Sequence, residues 1–208
     1  MRAANHIFLN RQDAGIRLGS AIIKNGIKAD MIAAIPRGGI PVAMEIARMT
    51  HWPIYLIYVK KIGHPSNPEL AIGAVTQENI LLEDQYAHFQ HYATEQASAI
   101  RNRIEKIRFK LGLVCDSNQV KNRNIMLVDD GIATGLTLRL AISEFRSWGV
   151  RNITIAVPVA AAAAAKQLEK EVDEFICLVT DSRFTGVGAY YQDFPQLTDE
   201  EAGEALSL

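Results

Sequence analysis

A chain of 208 residues, 49% hydrophobic and 22% charged, is long enough for one sizeable core and has the balance of an ordinary globular protein. Its formal net charge of −1 removes any chain-wide basic field of the kind that nucleic-acid binding uses, while leaving room for a local positive pocket. The 2 cysteines, Cys115 and Cys177, stand apart with apolar neighbours and read as buried thiols rather than a disulfide or a metal site.

Read in chain order, Met1–His6 has no apolar stretch of the signal-peptide kind. Met31–Ile35 is a short apolar run between Asp30 and Pro36 and predicts a strand. Val42–Met49 has helical spacing. Ile54–Val59, rich in β-branched and aromatic residues, predicts a second strand. Lys60–Pro68 carries Gly, Pro, Ser and Asn and reads as a loop. Beyond it, Leu70–Val75 and Asn79–Leu82 pair as a hairpin. Gln85–Leu111 lacks Gly and Pro and repeats apolar residues at helical intervals, so a long helix is expected, ended by Gly112. The pattern then alternates: strand 124–128, helix 137–148, strand 152–157, helix 160–171, strand 174–179. The Ala160–Ala165 run is too short to span a bilayer. Alternating strands and helices imply an α/β fold, a mostly parallel sheet with helices on both faces, whose ligands bind beyond the carboxyl ends of the strands. The tail from Thr198 is acidic and reads as loosely ordered. A cytoplasmic location, with no nucleic acid and no membrane as partners, is the expectation.

Four segments carry chemistry. The first is Ile125–Thr137, where an apolar strand ends in Asp129 and Asp130, a turn of Gly, Ala and Thr follows, and a helix begins at once. Backbone N–H groups in such a turn and at a helix start favour a phosphate, and adjacent carboxylates accept hydrogen bonds from vicinal hydroxyls. An isolated Asp-Asp would more simply be a cap beside a solvated charge, but Thr134, Gly135 and Thr137 follow at the spacing of a phosphosugar site. No G-x-x-x-x-G-K-[ST] is present to support nucleotide binding of the Walker type. The second segment is Pro36-Arg37-Gly38-Gly39, a cation and an unobstructed backbone after a strand, open to a phosphate or simply a βα turn. The third is Lys60–Glu69, whose two lysines are either surface charge or a means of neutralising a departing anion. The fourth is Asp181–Phe194, where aromatics beside glycines either stack a base or pack the C-terminus on the core. His88 and His91, three apart, admit a zinc site less readily than a solvated polar face.

The first segment closely resembles the phosphoribosyl-pyrophosphate (PRPP) motif of type I phosphoribosyltransferases. The fourth is similar to the C-terminal part of a group of phosphoribosyltransferase-like proteins whose acceptor is not established, and that similarity runs from Arg11-Gln12-Asp13-Ala14-Gly15 to Tyr191-Gln192-Asp193-Phe194. The resemblance implies a single phosphoribosyltransferase domain over 1–208, with a flexible loop and hairpin at 60–83 and a C-terminal hood at 181–208. It implies that Asp129 and Asp130 hold the ribose hydroxyls and that Ala133, Thr134, Gly135, Leu136 and Thr137 hold the 5′-phosphate. Arg37, Gly38, Gly39 and Lys61 complete PRPP binding. In the family the dipeptide matching Arg37-Gly38 often has a non-proline cis bond, so one is expected here.

Lys60 and Glu69 join the acids as catalytic candidates, Lys60 toward pyrophosphate and Glu69 toward the incoming base, in a loop similar to that of adenine-type members. Asp181, Phe184 and Tyr190 are the base-binding candidates. Many 6-oxopurine members carry an aspartate where this chain has Ala133, which argues against hypoxanthine or guanine as acceptor. The implied cofactor is Mg²⁺, held largely by the substrate rather than by a dedicated protein site. The implied partners are PRPP and a small-molecule base, with homodimerisation a family habit. The implied reaction is transfer of ribose 5-phosphate from PRPP to a nitrogenous base with release of pyrophosphate, and the competing reading is a PRPP sensor without catalysis.

Overall fold

A computed structural model describes residues 7–76, 79–111, 117–198 and 200–201, apart from the side chains of residues 69, 103, 104 and 106–111. The chain opens with α1 (Arg11–Lys24), and β1 (Met31–Ala34), α2 (Gly39–Thr50) and β2 (Ile54–Leu56) follow. A separate group comprises β3 (Lys60–His64), β4 (Asn67–Val75), β5 (Ile80–Leu82) and the long helix α3 (Gln90–Leu111). The second half runs α4 (Ser117–Val120), β6 (Asn124–Val128), α5 (Leu136–Ser147), β7 (Asn152–Ala161), α6 (Ala162–Leu168) and β8 (Glu174–Asp181).

Five strands form a parallel sheet in the order β2-β1-β6-β7-β8. Period-two alternation along its strands divides the core in two. Met31, Ala33, Ile125, Leu127, Ile153 and Ile155 face α5 and α6. Ile32, Ala34, Met126, Val128 and Ala156 face α1 and α2. Both faces are therefore covered, which is why β1 and the interior of β6 read as unbroken apolar runs rather than alternating ones. The chain-order reversal lies between β1 and β6, so the carboxyl ends of these two neighbours deliver Pro36–Gly39 and Asp129–Asp130 side by side.

β3, β4 and β5 form a second, antiparallel sheet. It packs Ile62, Ile72 and Val75 on Ala93 and Ala97 of α3. Thr76 ties it to the main body by donating its hydroxyl to Oε2 of the buried Glu144 on α5 at 2.8 Å. Asn79 donates to the same oxygen.

Several expectations need correction, the second strand among them: β2 ends at Leu56 rather than Val59. The predicted loop Lys60–Pro68 is mostly strand, because β3 and β4 absorb its irregular residues at a register shift around Gly63. Pro68 is tolerated because β4 has only β3 beside it there; β5 pairs only with Gly73–Val75. The long helix begins as a tighter 3₁₀ turn over Asp84–Phe89, and the expected stop at Gly112 lies outside the described residues.

The strand expected to end at 157 continues to Ala161, so Ala160 and Ala161 are strand and α6 starts later, at Ala162, and ends earlier, at Leu168. Pro158 falls at the step that the β7–β8 pairing skips, between Val157↔Cys177 and Val159↔Val179, so its missing N–H interrupts the ladder at one point without ending the strand. Pairing of Ala160 and Ala161 with Thr180 and Asp181 then overrides alanine's preference for helix.

Finally, α1 was not expected at all. Asn10 caps it by accepting from the Asp13 N–H at 2.9 Å, an interaction of about 1 kcal/mol. Gly15 brings it close to α2, since a Cβ there would lie 2.8 Å from the Val42 carbonyl.

Cys177 is half-buried, its thiol pushed up to about 11 by burial, and it donates to the Val179 carbonyl at 3.0 Å. Cys115 lies outside the described residues. His91 is exposed and sits 3.3 Å from Glu95.

Candidate active site

The site grows from the end of β6. Four fully buried residues, Ile125–Val128, hold that strand in the sheet, so Asp129 is the first residue free to leave it. The chain then stays pinned: Ile132 donates its N–H to the Val159 carbonyl and accepts from the Ala161 N–H, both at 2.9 Å. Between these anchors and α5, Ala133 and Thr134 form an exposed tip. Gly135 turns the chain at φ 78°, a left-handed value that a side chain would strain. Leu136 starts α5, whose first-turn N–H groups have no intrahelical acceptor and point toward the tip. The Thr134 hydroxyl lies 3.4 Å from the Leu136 N–H.

Asp129, Gly131–Gly135, Thr137, Leu138 and Val187 line one hollow of about 170 Å³. A carboxylate thus shares a cavity with a glycine-bearing turn and a helix start, a combination suited to a phosphorylated polyol. Burial pushes the Asp129 carboxyl well above the usual carboxylate range, and the neighbouring charge of Asp130 adds to the effect. Its Oδ1 accepts the Asp130 N–H at 2.8 Å, which partly offsets both.

Asp130 is held differently. Burial raises its carboxyl too, but Arg11 beside it pulls in the opposite direction. The Arg11 Nε donates to Asp130 Oδ2 at 2.8 Å, with only 9% and 13% of the two side chains exposed. Such a pair adds little net stability, yet removing one partner strands the other charge at a cost of about 3–5 kcal/mol. The same guanidinium donates to the Pro195 carbonyl at 2.9 Å and lies 3.7 Å over the Phe194 ring. Tyr191 donates its hydroxyl to the Asp130 carbonyl at 2.6 Å. Arg11, Tyr191 and Val187 were not among the residues expected at the site. Tyr191 and Val187 lay inside the aromatic-glycine segment, and Arg11 at the start of the similar region, but only their contacts distinguish them.

The second segment stands against the acids. Gly38 is so close to Asp130 that a Cβ there would overlap Oδ2. At Gly39 a Cβ would lie 2.6 Å from the Val128 carbonyl. Both glycines are therefore required by close approach of the β1–α2 loop to β6. The cis peptide bond falls between Pro36 and Arg37, one residue earlier than the expected Arg37-Gly38, and is again non-proline.

Lys60 and Lys61 lie at the start of β3, half-buried and exposed respectively. Glu69 is in β4, and its side chain lies outside the described residues. Asp181 ends β8, two strands from the acids. Its Oδ2 accepts the Tyr190 hydroxyl and its Oδ1 the Arg183 N–H, both at 2.7 Å, and the Tyr190 bond holds its carboxyl below the usual range. Phe184 stacks on Tyr190 with ring centroids 5.5 Å apart. Tyr190 itself is buried with Phe8, Val159 and Tyr191, so the segment does pack the C-terminus onto the core.

Comparison with known proteins accords with this geometry. A family model described as the phosphoribosyl transferase domain matches residues 7–193. The chain belongs to the phosphoribosyltransferase family. Within the family, it is 33% identical over 202 residues to a Mycobacterium tuberculosis protein provisionally named a phosphoribosyl transferase. That match takes in 94% of this chain but only 45% of the relative, so the chain spans about half the length of the curated relatives it matches. Among solved structures, the protein TT1426 from Thermus thermophilus is 34% identical, with a TM-score of 0.78 over 96% of this chain and 97% of that one. The Giardia lamblia APRTase, solved with 9-deazaadenine, shares the fold at 15% identity and a TM-score of 0.51, covering 82% and 79% of the two chains. The five-strand parallel sheet with a separate antiparallel sheet is thus the type I phosphoribosyltransferase architecture.

Proposed function

We propose that the protein transfers ribose 5-phosphate from PRPP to a nitrogenous base, with Mg²⁺ as cofactor and pyrophosphate as the leaving product. The observation that carries this reading is the single hollow shared by Asp129 and the turn Gly131–Thr137. A ribose 5-phosphate presents a phosphate and two vicinal hydroxyls, and this hollow offers donors for the first and a carboxylate for the second.

In this reading the 5′-phosphate occupies the turn over Ala133–Thr137, against the N–H groups at the start of α5. Asp129 and Asp130 orient the ribose through its hydroxyls. Arg37, Lys60 and Lys61, with the open backbone of Gly38 and Gly39, meet the charge of the departing pyrophosphate. Glu69 accepts a proton or a hydrogen bond from the base. The Phe184–Tyr190 stack beside Asp181 is the surface assigned to the base.

Among the described residues, no three His, Cys, Asp or Glu side chains stand together as a metal cage. Asp129 still offers hard oxygen donors in the hollow, a set that suits Mg²⁺ when substrate oxygens and water supply most of its ligands. Bound there, the ion would neutralise pyrophosphate charge.

The test is pyrophosphate release from PRPP with Mg²⁺ across a panel of purine and pyrimidine bases. Release dependent on one of them supports the assignment. Tight PRPP binding without release on any base favours the sensor reading, and absence of PRPP binding refutes both.

A further inference from the structure

Arg11 from the start of the chain and Tyr191 and Phe194 from near its end close a ring with Asp130. Arg11 bonds the Asp130 carboxylate at 2.8 Å, Tyr191 bonds the Asp130 carbonyl at 2.6 Å, and Phe194 stacks on Tyr191 with centroids 4.9 Å apart. Phe194 in turn lies under the Arg11 guanidinium at 3.7 Å. The same Oδ2 also lies against Gly38, whose Cα leaves no room for a Cβ beside it. The Asp130 side chain thus meets both a cation on α1 and the backbone of the Arg37-Gly38-Gly39 loop.

We infer that Arg11 is a positioning residue for the PRPP site: by holding Asp130 against Gly38 it sets the spacing between the acidic pair and the Arg37-Gly38-Gly39 loop. The inference rests on the PRPP reading proposed above. Arg11 suits the task because its planar fork directs Nε to the carboxylate and Nη1 to Pro195, while its face stacks on a ring. A lysine could supply the charge but neither the second directed bond nor the stack. The base of Arg11 is itself rigid, being the first residue of a capped helix that packs tightly on α2 through Gly15. Arg17, six residues on, shows the contrast: it is exposed, pairs along its own helix with Asp13 and lies 5.5 Å over the Phe8 ring.

The test compares Arg11→Ala, Arg11→Lys and the control Arg17→Ala. PRPP affinity in the presence of Mg²⁺ is measured by calorimetry, with and without added guanidinium ion, and amide hydrogen exchange is followed in the unliganded proteins. Arg11→Ala is expected to weaken PRPP binding roughly 10–100-fold, the range for losing a residue that orients a ligand-holding group. Guanidinium ion recovers part of that loss, Arg11→Lys falls between Ala and wild type, and Arg17→Ala binds as wild type. Exchange rises at 37–39 and 129–131 and stays unchanged in the sheet at 153–157.

Wild-type affinity in a folded Arg11→Ala, a loss that guanidinium ion does not touch, or faster exchange throughout the sheet would each overturn the inference. Should Arg11→Ala fail to fold, Arg11→Lys decides by the same affinity and exchange readouts. If wild type itself does not bind PRPP, the substrate reading falls, and the exchange pattern alone judges the positioning: faster exchange confined to 37–39 and 129–131 upholds it, and no rise there overturns it.

Discussion

Replacing Gly39 by alanine probes the close approach on which the site depends. The new Cβ would sit 2.6 Å from the Val128 carbonyl oxygen and 3.1 Å from the Asp129 Cα. Comfortable contact between non-bonded heavy atoms begins near ~3.5 Å, so a displacement of almost ~1 Å is required. Neither side yields easily. The Val128 carbonyl already accepts the Ile35 N–H at 2.9 Å as part of the join between β1 and β6, and both strands are buried. Overpacking of this kind costs about 1–3 kcal/mol. For a chain of this size each kcal/mol lowers Tm by roughly 2–4 °C, so a fall of about 2–12 °C is expected in a thermal unfolding scan.

The strain is relieved by moving the Arg37-Gly38-Gly39 loop away from the acids. A misplacement of about 1 Å can reduce turnover by about 10²-fold, to be read as pyrophosphate release from PRPP. Gly26→Ala is the control. Gly26 has a left-handed φ of 69°, which Gly39 lacks, but nothing lies within 4 Å of a Cβ there, and it precedes β1 at the opposite end of the sheet. It should cost about 1–2 kcal/mol in stability and leave PRPP turnover unchanged. If Gly39→Ala melts and turns over like wild type, the close approach of loop and acids plays no part in the site.

Other consequences follow from the same geometry. Asp129 has its folded-state pKa raised, so ionising it costs more in the native state than in the unfolded one. That penalty is absent below the ordinary carboxylate pKa and grows as pH rises through the ordinary value and then the raised one. Asp129→Asn should therefore melt above wild type at neutral pH, lose the advantage as pH falls below the ordinary carboxylate range, and abolish PRPP turnover. A lower Tm for the variant at neutral pH would contradict the burial argument. Gly135→Ala, at φ 78°, should cost about 1–2 kcal/mol and weaken PRPP binding by distorting the turn, as denaturant titration and calorimetry would show. Lys60→Ala should lower turnover roughly 10²–10³-fold with little change in PRPP affinity if the lysine meets charge that develops only as pyrophosphate leaves. Equal loss in both would make it a ground-state contact instead.

What could be read from the chain was local. Strand, acidic pair, turn and helix start occupy consecutive residues from Ile125 to Thr137, and each is dictated by its neighbours: apolar burial, small residues, then helical spacing. The hairpin of Leu70–Val75 with Asn79–Leu82 was legible for the same reason. Misreadings arose where composition and pairing disagree. Pro68, Gly63 and Pro158 signal interruption in sequence, but each sits where a strand lacks a neighbour, shifts register or skips one pairing, and that depends on the partner strand. The helix α1 could have been found from Asn10 with Asp13 and the spacing of Ala14, Leu18 and Ile22, a capped apolar stripe.

By itself, then, the sequence determined that a turn of small residues and a helix start follow two carboxylates at the end of a buried strand, because those elements are set within about a dozen neighbouring residues. Only the tertiary structure decided that the two carboxylates stand in different surroundings. Asp129 opens into the hollow of the turn, while Asp130 is held by Arg11, 119 residues away, against Gly38 of the loop that follows β1. Adjacent residues on an extended chain point in opposite directions, and what each one meets depends on elements that sequence proximity does not reveal.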